Sequence, residues 1–365
     1  MVAGPAGESL NKVIIFRADA SLQIGTGHVM RCLTLADALT AQGATCEFIC
    51  REHPGNLIAY IQSKGYIVHS LSVCGNVDTD LTHSTWLGST QAQDAEACIP
   101  ILSKLQPDWL VVDHYALDAR WEKNLTPYYR KLMVIDDLAD RQHACDVFLD
   151  QNLGRAFIHY SHLITPNCQK LLGSNYVILR PEFARQREAS LSRRKTGRLN
   201  RILLCMGGVD KDNFTGRIIQ ALDKSTLPTS IKLDVVLGSQ CPHINQIKEL
   251  AASSRFKPFV HVNAQDMANR MCDADLAIGA AGGTTWERFC MGLPSLLLST
   301  AANQDTFLNV IKHSGAAKVV DLMGIPGAVD DLNRDTSQLY EMSKRAALLV
   351  DGNGVSRIAE KLLAT

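Results

Sequence analysis

Three short stretches combine residue types and spacings that can do chemistry. The first, GTGHVMRCLTLA (Gly25–Ala36), sets His28 just after two glycines, where an apolar run gives way to a helical pattern. Glycine tolerates positive φ and lets a ligand approach the backbone. The positive end of a helix disfavours an imidazolium, so His28 is expected to stay neutral near pH 7 and take a proton as a general base. Gly27 and Arg31 flank it as candidate substrate contacts, and Asp19 is a candidate to orient it or to hold sugar hydroxyls. The second stretch, MGGVDKDN (Met206–Asn213), ends a strand in Gly207-Gly208 and offers Asp210 as a helix cap; its free N–H groups suit a phosphate. The third, GAAGGTTWERFCMGLPSL (Gly279–Leu296), is more specific. Gly282 and Gly283 leave room beside the backbone, Thr284 and Thr285 can donate to phosphate oxygens, and Glu287 can accept both hydroxyls of a ribose. A structural histidine, a plain tight turn and a capping box at Glu287 are the ordinary alternatives.

Other signals carry less. Asp78-Thr79-Asp80 matches a metal-binding D-x-D pattern by three letters only. Asp136-Asp137 are neighbours on a strand and so point apart, which suits hydrogen bonding better than paired acid–base work. His114 and Tyr115 end a buried strand and are read either as sugar contacts or as edge-of-core residues. The 11 cysteines form no Cys-x-x-Cys pair and read as buried free thiols. No motif calls for a metal or a cofactor.

The elements that must position these residues alternate. Strand-like runs at Val13–Phe16, Cys46–Cys50, Tyr66–Leu71, Leu110–Val112, Leu132–Ile135, Val147–Leu149 and Val177–Leu179 are interleaved with helical patterns. The alternation resumes with Arg201–Met206, Leu233–Leu237, Phe259–Val262, Leu276–Ile278 and Ser295–Leu298. That pattern implies an α/β protein with two Rossmann-like domains, each a parallel sheet covered by helices. Ligands in such sheets sit beyond the carboxyl ends of the strands, and the gap between two such domains is the expected binding cleft. The expected division is an extension over 1–11, expected to be disordered, a first domain over 12–184, a polar and basic linker over 185–200, and a second domain over 201–365 with a terminal helix.

Composition narrows the class. Of 365 residues, 46% are hydrophobic and 20% charged, enough to bury two cores. Lys+Arg and Asp+Glu each number 37, which argues against holding nucleic acid by bulk charge. No apolar signal segment or membrane-length run is present, so a cytoplasmic protein is expected.

Taken together, RADASLQIGTGHVMRCLTLA, VVDHYALDARWE, VIDDLADRQHACDVFLDQN, YVILRPEF, MGGVDKDN, DLAIGAAGGTTWERFCMGLPSL and ANQ, in this order from Lys12 to Val320, resemble the UDP-sugar hydrolases of pseudaminic acid biosynthesis. The resemblance implies a GT-B-like fold related to the MurG-type glycosyltransferases. It implies cleavage of the anomeric C–O bond of UDP-2,4-diacetamido-2,4,6-trideoxy-β-L-altropyranose by water, with inversion and release of UDP. It places the catalytic histidine at His28, the nucleotide loop at Gly282 and Gly283 with the acidic Glu287, and a substrate-contacting asparagine at Asn303. Arg180 of YVILRPEF and Gln304 beside Asn303 join the candidate substrate contacts. A GT-B glycosyltransferase and a non-catalytic UDP-sugar-binding protein are the alternatives. They differ in whether UDP-sugar is consumed without an acceptor, and whether it is consumed at all.

Overall fold

A computed structural model describes residues 12–299 and 305–364. The extension over 1–11 and the candidates Asn303 and Gln304 lie outside the described residues. The chain forms two units. Unit 1 runs to Ile178 and resumes at Gly354; unit 2 is Leu179–Asn353.

In unit 1, seven strands form one parallel sheet. They are β1 (Val13–Ala18), β2 (Thr45–Arg51), β3 (Ile67–Leu71), β4 (Trp109–Asp113), β5 (Lys131–Ile135), β6 (Val147–Asp150) and β7 (Gln169–Leu172). Their order is β3-β2-β1-β4-β5-β6-β7. The central strands read as unbroken apolar runs because helices cover both faces. The covering elements include α1 (Gly27–Thr40), α2 (Ile58–Ser63), α3 (Gln91–Leu105) and α4 (Ala119–Leu125). Helix α1 buries Val29, Cys32, Leu33, Ala36 and Leu39 against the sheet, the stripe its periodicity predicts. Gly43, at φ +94°, ends the excursion that follows.

Unit 2 repeats the plan with β8 (Arg201–Cys205), β9 (Lys232–Leu237), β10 (Phe259–Val262), β11 (Leu276–Ala280), β12 (Ser295–Leu298) and β13 (Ala317–Val319). The order is β10-β9-β8-β11-β12-β13, again parallel. Its helices are α5 (Pro181–Arg194), α6 (Phe214–Leu222), α7 (Ile244–Ser253), α8 (Met267–Asp273), α9 (Thr284–Cys290), α10 (Asp305–Ser314), α11 (Ile325–Arg334) and α12 (Ser337–Leu349). The last helix, α13 (Gly354–Ala364), belongs to unit 1. There Ile358 and Leu362 join the core beneath α1, and the Leu362 carbonyl accepts from the Trp109 indole N–H at 2.9 Å.

Three features differ from expectation. The stretch 185–200 is mostly α5, a packed helix of unit 2, and not a linker. Its arginines mislead because they work inward. Arg187 donates to the Cys290 and Ala347 carbonyls, and Arg194 to those of Gly292 and Met271, capping neighbouring helix ends. Second, α13 returns to the first unit, so the second does not run to the terminus. Third, Val177–Leu179 is buried but not a strand; the edge strand is Gln169–Leu172, whose polar half hides it from hydropathy. Among the described residues no helix is long and apolar enough to cross a membrane.

Behind β5, His143 Nδ1 lies 2.6 Å from Glu122, and Arg141 and His143 flank Asp136. Burial alone would lower the His143 pKa; Glu122 and Asp136 override it and hold it at about 9. An ordinary histidine titrates at about 6.5. The raised folded-state value therefore contributes stability that is complete below about pH 6.5 and lost as pH rises through about 9. Chemical unfolding followed from pH 6 to pH 10 should lose on the order of 2–3 kcal/mol from this group, and His143→Gln should remove that slope.

Candidate functional site

Both sheets reverse their strand order once, between β1 and β4 and between β8 and β11. Adjacent connections there leave to opposite sides, opening a crevice at the carboxyl ends of the strands. The residues picked out by type and spacing fall at these two points.

In unit 1, β1 leads through a glycine-containing turn into α1, with Gly25 at φ +80° and an open, exposed Gly27. His28 is the second residue of α1 and is 8% exposed. Its Nδ1 lies 2.5 Å from Asp113 Oδ1 at the end of β4. One turn on, Arg31 grips the same carboxylate with Nε on Oδ2 at 2.5 Å and Nη2 on Oδ1 at 2.6 Å. Residues 28, 31 and 32 share one helix face, so three side chains meet one carboxylate. Burial would raise the Asp113 pKa, but Arg31 first and His28 second drive it well below the usual carboxylate range. A fixed anion at 2.5 Å makes Nδ1 the protonated nitrogen, against a 3.4 Å approach from Arg31 Nη2. In that tautomer the lone pair lies on Nε2. The helix-dipole expectation for His28 omitted this carboxylate.

Tyr115 stands edge-on to the His28 ring, centroids 4.6 Å apart at 86°. Its hydroxyl donates to Asp137 Oδ1 at 2.5 Å. Burial and the adjacent Asp137 push its pKa up, so it remains a donor. Asp136 turns the other way, to Arg141 and His143, and the two carboxylates do not act as a pair.

Two candidates take other roles. Asp19 is fully buried and does not reach His28. It accepts from Arg17 at 2.6 Å and from the Arg51 backbone N–H at 2.7 Å, bracing β1 against β2. His114, buried, accepts from the Ala116 N–H through Nδ1 and turns Nε2 to within 3.2 Å of Asp19; its pKa is lowered by burial. Neither is open to a sugar. Orientation of His28 falls to Asp113, a role sequence reasoning could not assign because Asp19 and Asp113 are both aspartates at strand ends. The D-x-D residues are structural: Asp78 accepts from the Gln91 N–H at the start of α3, and Asp80 pairs with Arg120.

In unit 2, Gly207 (φ +100°) and Gly208 follow β8 at the surface. The first N–H groups of α6 are not free for phosphate, because Asp210 accepts from Phe214 and Thr215 at 2.8 and 2.9 Å. After β11, Gly282 and Gly283 are exposed, with open space where a Cβ would sit. Thr284 is half-buried beside them. Thr285 faces inward and accepts from Arg288 Nη2 at 2.9 Å, so it is not a ligand contact. Glu287 makes no capping box; its Oε1 lies 3.6 Å from Arg180 Nη2, and Arg180 also reaches Glu182 at 2.9 Å. Burial raises the Glu287 pKa, and Arg180 offsets part of that.

Arg288 was not foreseen. Its buried guanidinium lies under the loop and donates to the Ala280 carbonyl at 2.7 Å, and burial pushes its pKa down to about 10. It dictates Gly279: a Cβ there would fall 2.0 Å from Arg288 Nη1 and 2.6 Å from the Cys205 carbonyl.

No family model matches the chain. It is 24% identical over 286 residues to an uncharacterized protein of Methanocaldococcus jannaschii, covering 77% of this chain but only 54% of that one. It is 26% identical over 239 residues to the UDP-2,4-diacetamido-2,4,6-trideoxy-beta-L-altropyranose hydrolase of Campylobacter jejuni, covering 65% and 74%. The spore coat polysaccharide biosynthesis protein SpsG of Bacillus subtilis is 30% identical over 200 residues, covering 51% and 56%. Among solved structures, MurG of Acinetobacter baumannii matches with a TM-score of 0.65 at 14% identity over 97% of this chain and 99% of that one. The UDP-GlcNAc 2-epimerase of Neisseria meningitidis, bound to UDP-GlcNAc, matches at 0.61 and 10%, covering 97% and 99%. The calicheamicin glycosyltransferase CalG4 matches at 0.61 and 14%, covering 97% and 98%. These likenesses establish the fold: two Rossmann-like units of the GT-B type.

The packing around Arg288 separates Gly279, near the end of β11, from Gly282 in the loop that follows. Gly279→Ala should cost about 1–3 kcal/mol through overpacking. Gly282→Ala, where a Cβ meets nothing, should stay within about 0.5 kcal/mol of the parent in the same denaturant titration.

Proposed function

We propose that the chain hydrolyses UDP-2,4-diacetamido-2,4,6-trideoxy-β-L-altropyranose at the anomeric C–O bond, with inversion. The observation that carries this reading is the His28–Asp113 contact at the β1/β4 crevice. A histidine with Nδ1 committed to a buried carboxylate has Nε2 as its one basic nitrogen. That nitrogen takes a proton from water while the water oxygen bonds to the anomeric carbon. The C–O bond to the β-phosphate breaks, and its electron pair leaves with UDP. Single displacement by water inverts the centre. Tyr115 and Arg31 hold the pair in place, and Gly27 leaves open space beside the backbone just before the histidine.

The nucleotide is assigned to unit 2. Gly207, Gly208, Gly282, Gly283 and Thr284 are exposed or half-exposed at its crevice, where backbone N–H groups can meet a diphosphate. Glu287 is assigned to the ribose hydroxyls, with Arg180 beside it. The UDP-sugar hydrolase relative and the UDP-GlcNAc-bound neighbour support a UDP-sugar ligand. A glycosyltransferase would use the same base on an acceptor hydroxyl, and the fold suits it equally.

Incubation with the UDP-sugar in ¹⁸O-water, without any acceptor, tests the reading. Release of UDP with label in the sugar is expected; label in UDP, or no consumption until an acceptor is added, refutes it. His28→Asn should lower kcat by about 10²–10⁴ with UDP affinity unchanged. Asp113→Asn should also act on kcat, because an amide holds the wrong tautomer. Full turnover in His28→Asn would remove the histidine from the mechanism.

A further inference from the structure

Beside His28 and Tyr115 stand two rings, Trp86 and His83, that the reaction above does not use. Trp86 lies on a single 3₁₀ turn, Ser84–Leu87, closed by the Trp86 N–H donating to the His83 carbonyl at 2.9 Å. The turn's exit is fixed: Gly88 adopts φ +68°, and a Cβ there would fall 2.7 Å from His53 Cε1. The indole lies nearly parallel to Tyr115, with centroids 5.8 Å apart at 29°. His83 packs against it at 4.4 Å, and the His28 ring stands 6.4 Å away, edge-on at 78°. The chain has four tryptophans. Trp109, Trp121 and Trp286 are buried, at 2%, 0% and 3% exposure, while Trp86 is only partly covered. A large ring packed against two others, yet left partly open beside the His28 ring, is a preformed contact surface.

We infer that Trp86, backed by Tyr115 and His83, receives the apolar face of the sugar and selects pyranoses rich in deoxy carbons and acetamido methyl groups. An aromatic face attracts C–H and methyl groups, whereas each hydroxyl laid against it must give up water without a partner. The selection concerns the sugar alone; its catalytic consequence rests on the hydrolase reading above.

The three buried indoles give a background that a sugar cannot reach, so the sugar-dependent change in intrinsic fluorescence reports on Trp86. Titration with 2-acetamido-2,6-dideoxyglucose should shift the emission, and 2-acetamido-2-deoxyglucose should require about tenfold more for the same shift, the scale set by one apolar group. Trp86→Phe should abolish the signal yet keep most binding by calorimetry. Trp86→Leu should weaken binding about tenfold and raise KM more than it lowers kcat, with preference for the 6-deoxy sugar reduced. The phenylalanine variant, checked by thermal melting, guards against misfolding of the leucine one. Unchanged sugar discrimination in folded Trp86→Leu overturns the inference and leaves the hydrolase standing. Sugar binding at Trp86 without any UDP-sugar turnover overturns the hydrolase and leaves the platform. Neither binding nor turnover overturns both.

Discussion

A buried carboxylate needs a compensating charge, and in unit 1 the Arg31 guanidinium supplies it to Asp113. That interaction fixes the rest of the centre. With Asp113 held as an anion, His28 has one nitrogen committed and the other free. Because Arg31 and His28 are three residues apart on α1, the helix delivers the imidazole and the counter-charge together. Because Asp113 ends β4 and α1 follows β1, the contact forms only where those two strands are neighbours. The sheet's point of reversal is thus tied to the chemistry by a charge that could not be buried otherwise.

The second sheet solves a related problem differently. Its loop after β11 sits over a guanidinium whose bonds go to the neutral oxygens of Ala280 and Thr285. Small residues there serve two purposes. Gly279 makes room for a cation inside the protein, whereas Gly282 and Gly283 face outward and leave the backbone accessible. Thr284 and Thr285 are likewise divided, one toward the surface and one into the core. Within the four-residue run GGTT, Gly282, Gly283 and Thr284 lie toward the surface and Thr285 turns inward.

Buried polar residues elsewhere in unit 1 support the centre without joining it. Arg17 bridges Asp19 and Asp94, Arg51 joins Asp94 from β2, and the Trp121 indole donates to the same carboxylate. This network locks the strand ends from which the glycine-bearing turn before α1 departs. It is built of Asp and Arg because the carboxyl edge of a parallel sheet presents backbone N–H groups and strand ends that apolar side chains cannot satisfy.

The sequence by itself determined the two Rossmann-like halves, most strands, and the locations of the three glycine-bearing loops, because local periodicity and turn chemistry are written into neighbouring residues. It also determined that His28 begins a helix. Only the tertiary structure decided which aspartate serves that histidine, since Asp113 is 85 positions away in the chain and resembles Asp19 in every local respect. The same holds for Trp86, which no motif marks and which acquires meaning only beside Tyr115. It holds too for α5, whose arginines read as solvated until the carbonyls they cap are in place, and for α13, which returns to the first sheet. Pairings between distant residues depend on strand order, and strand order is set by the packing of the whole unit.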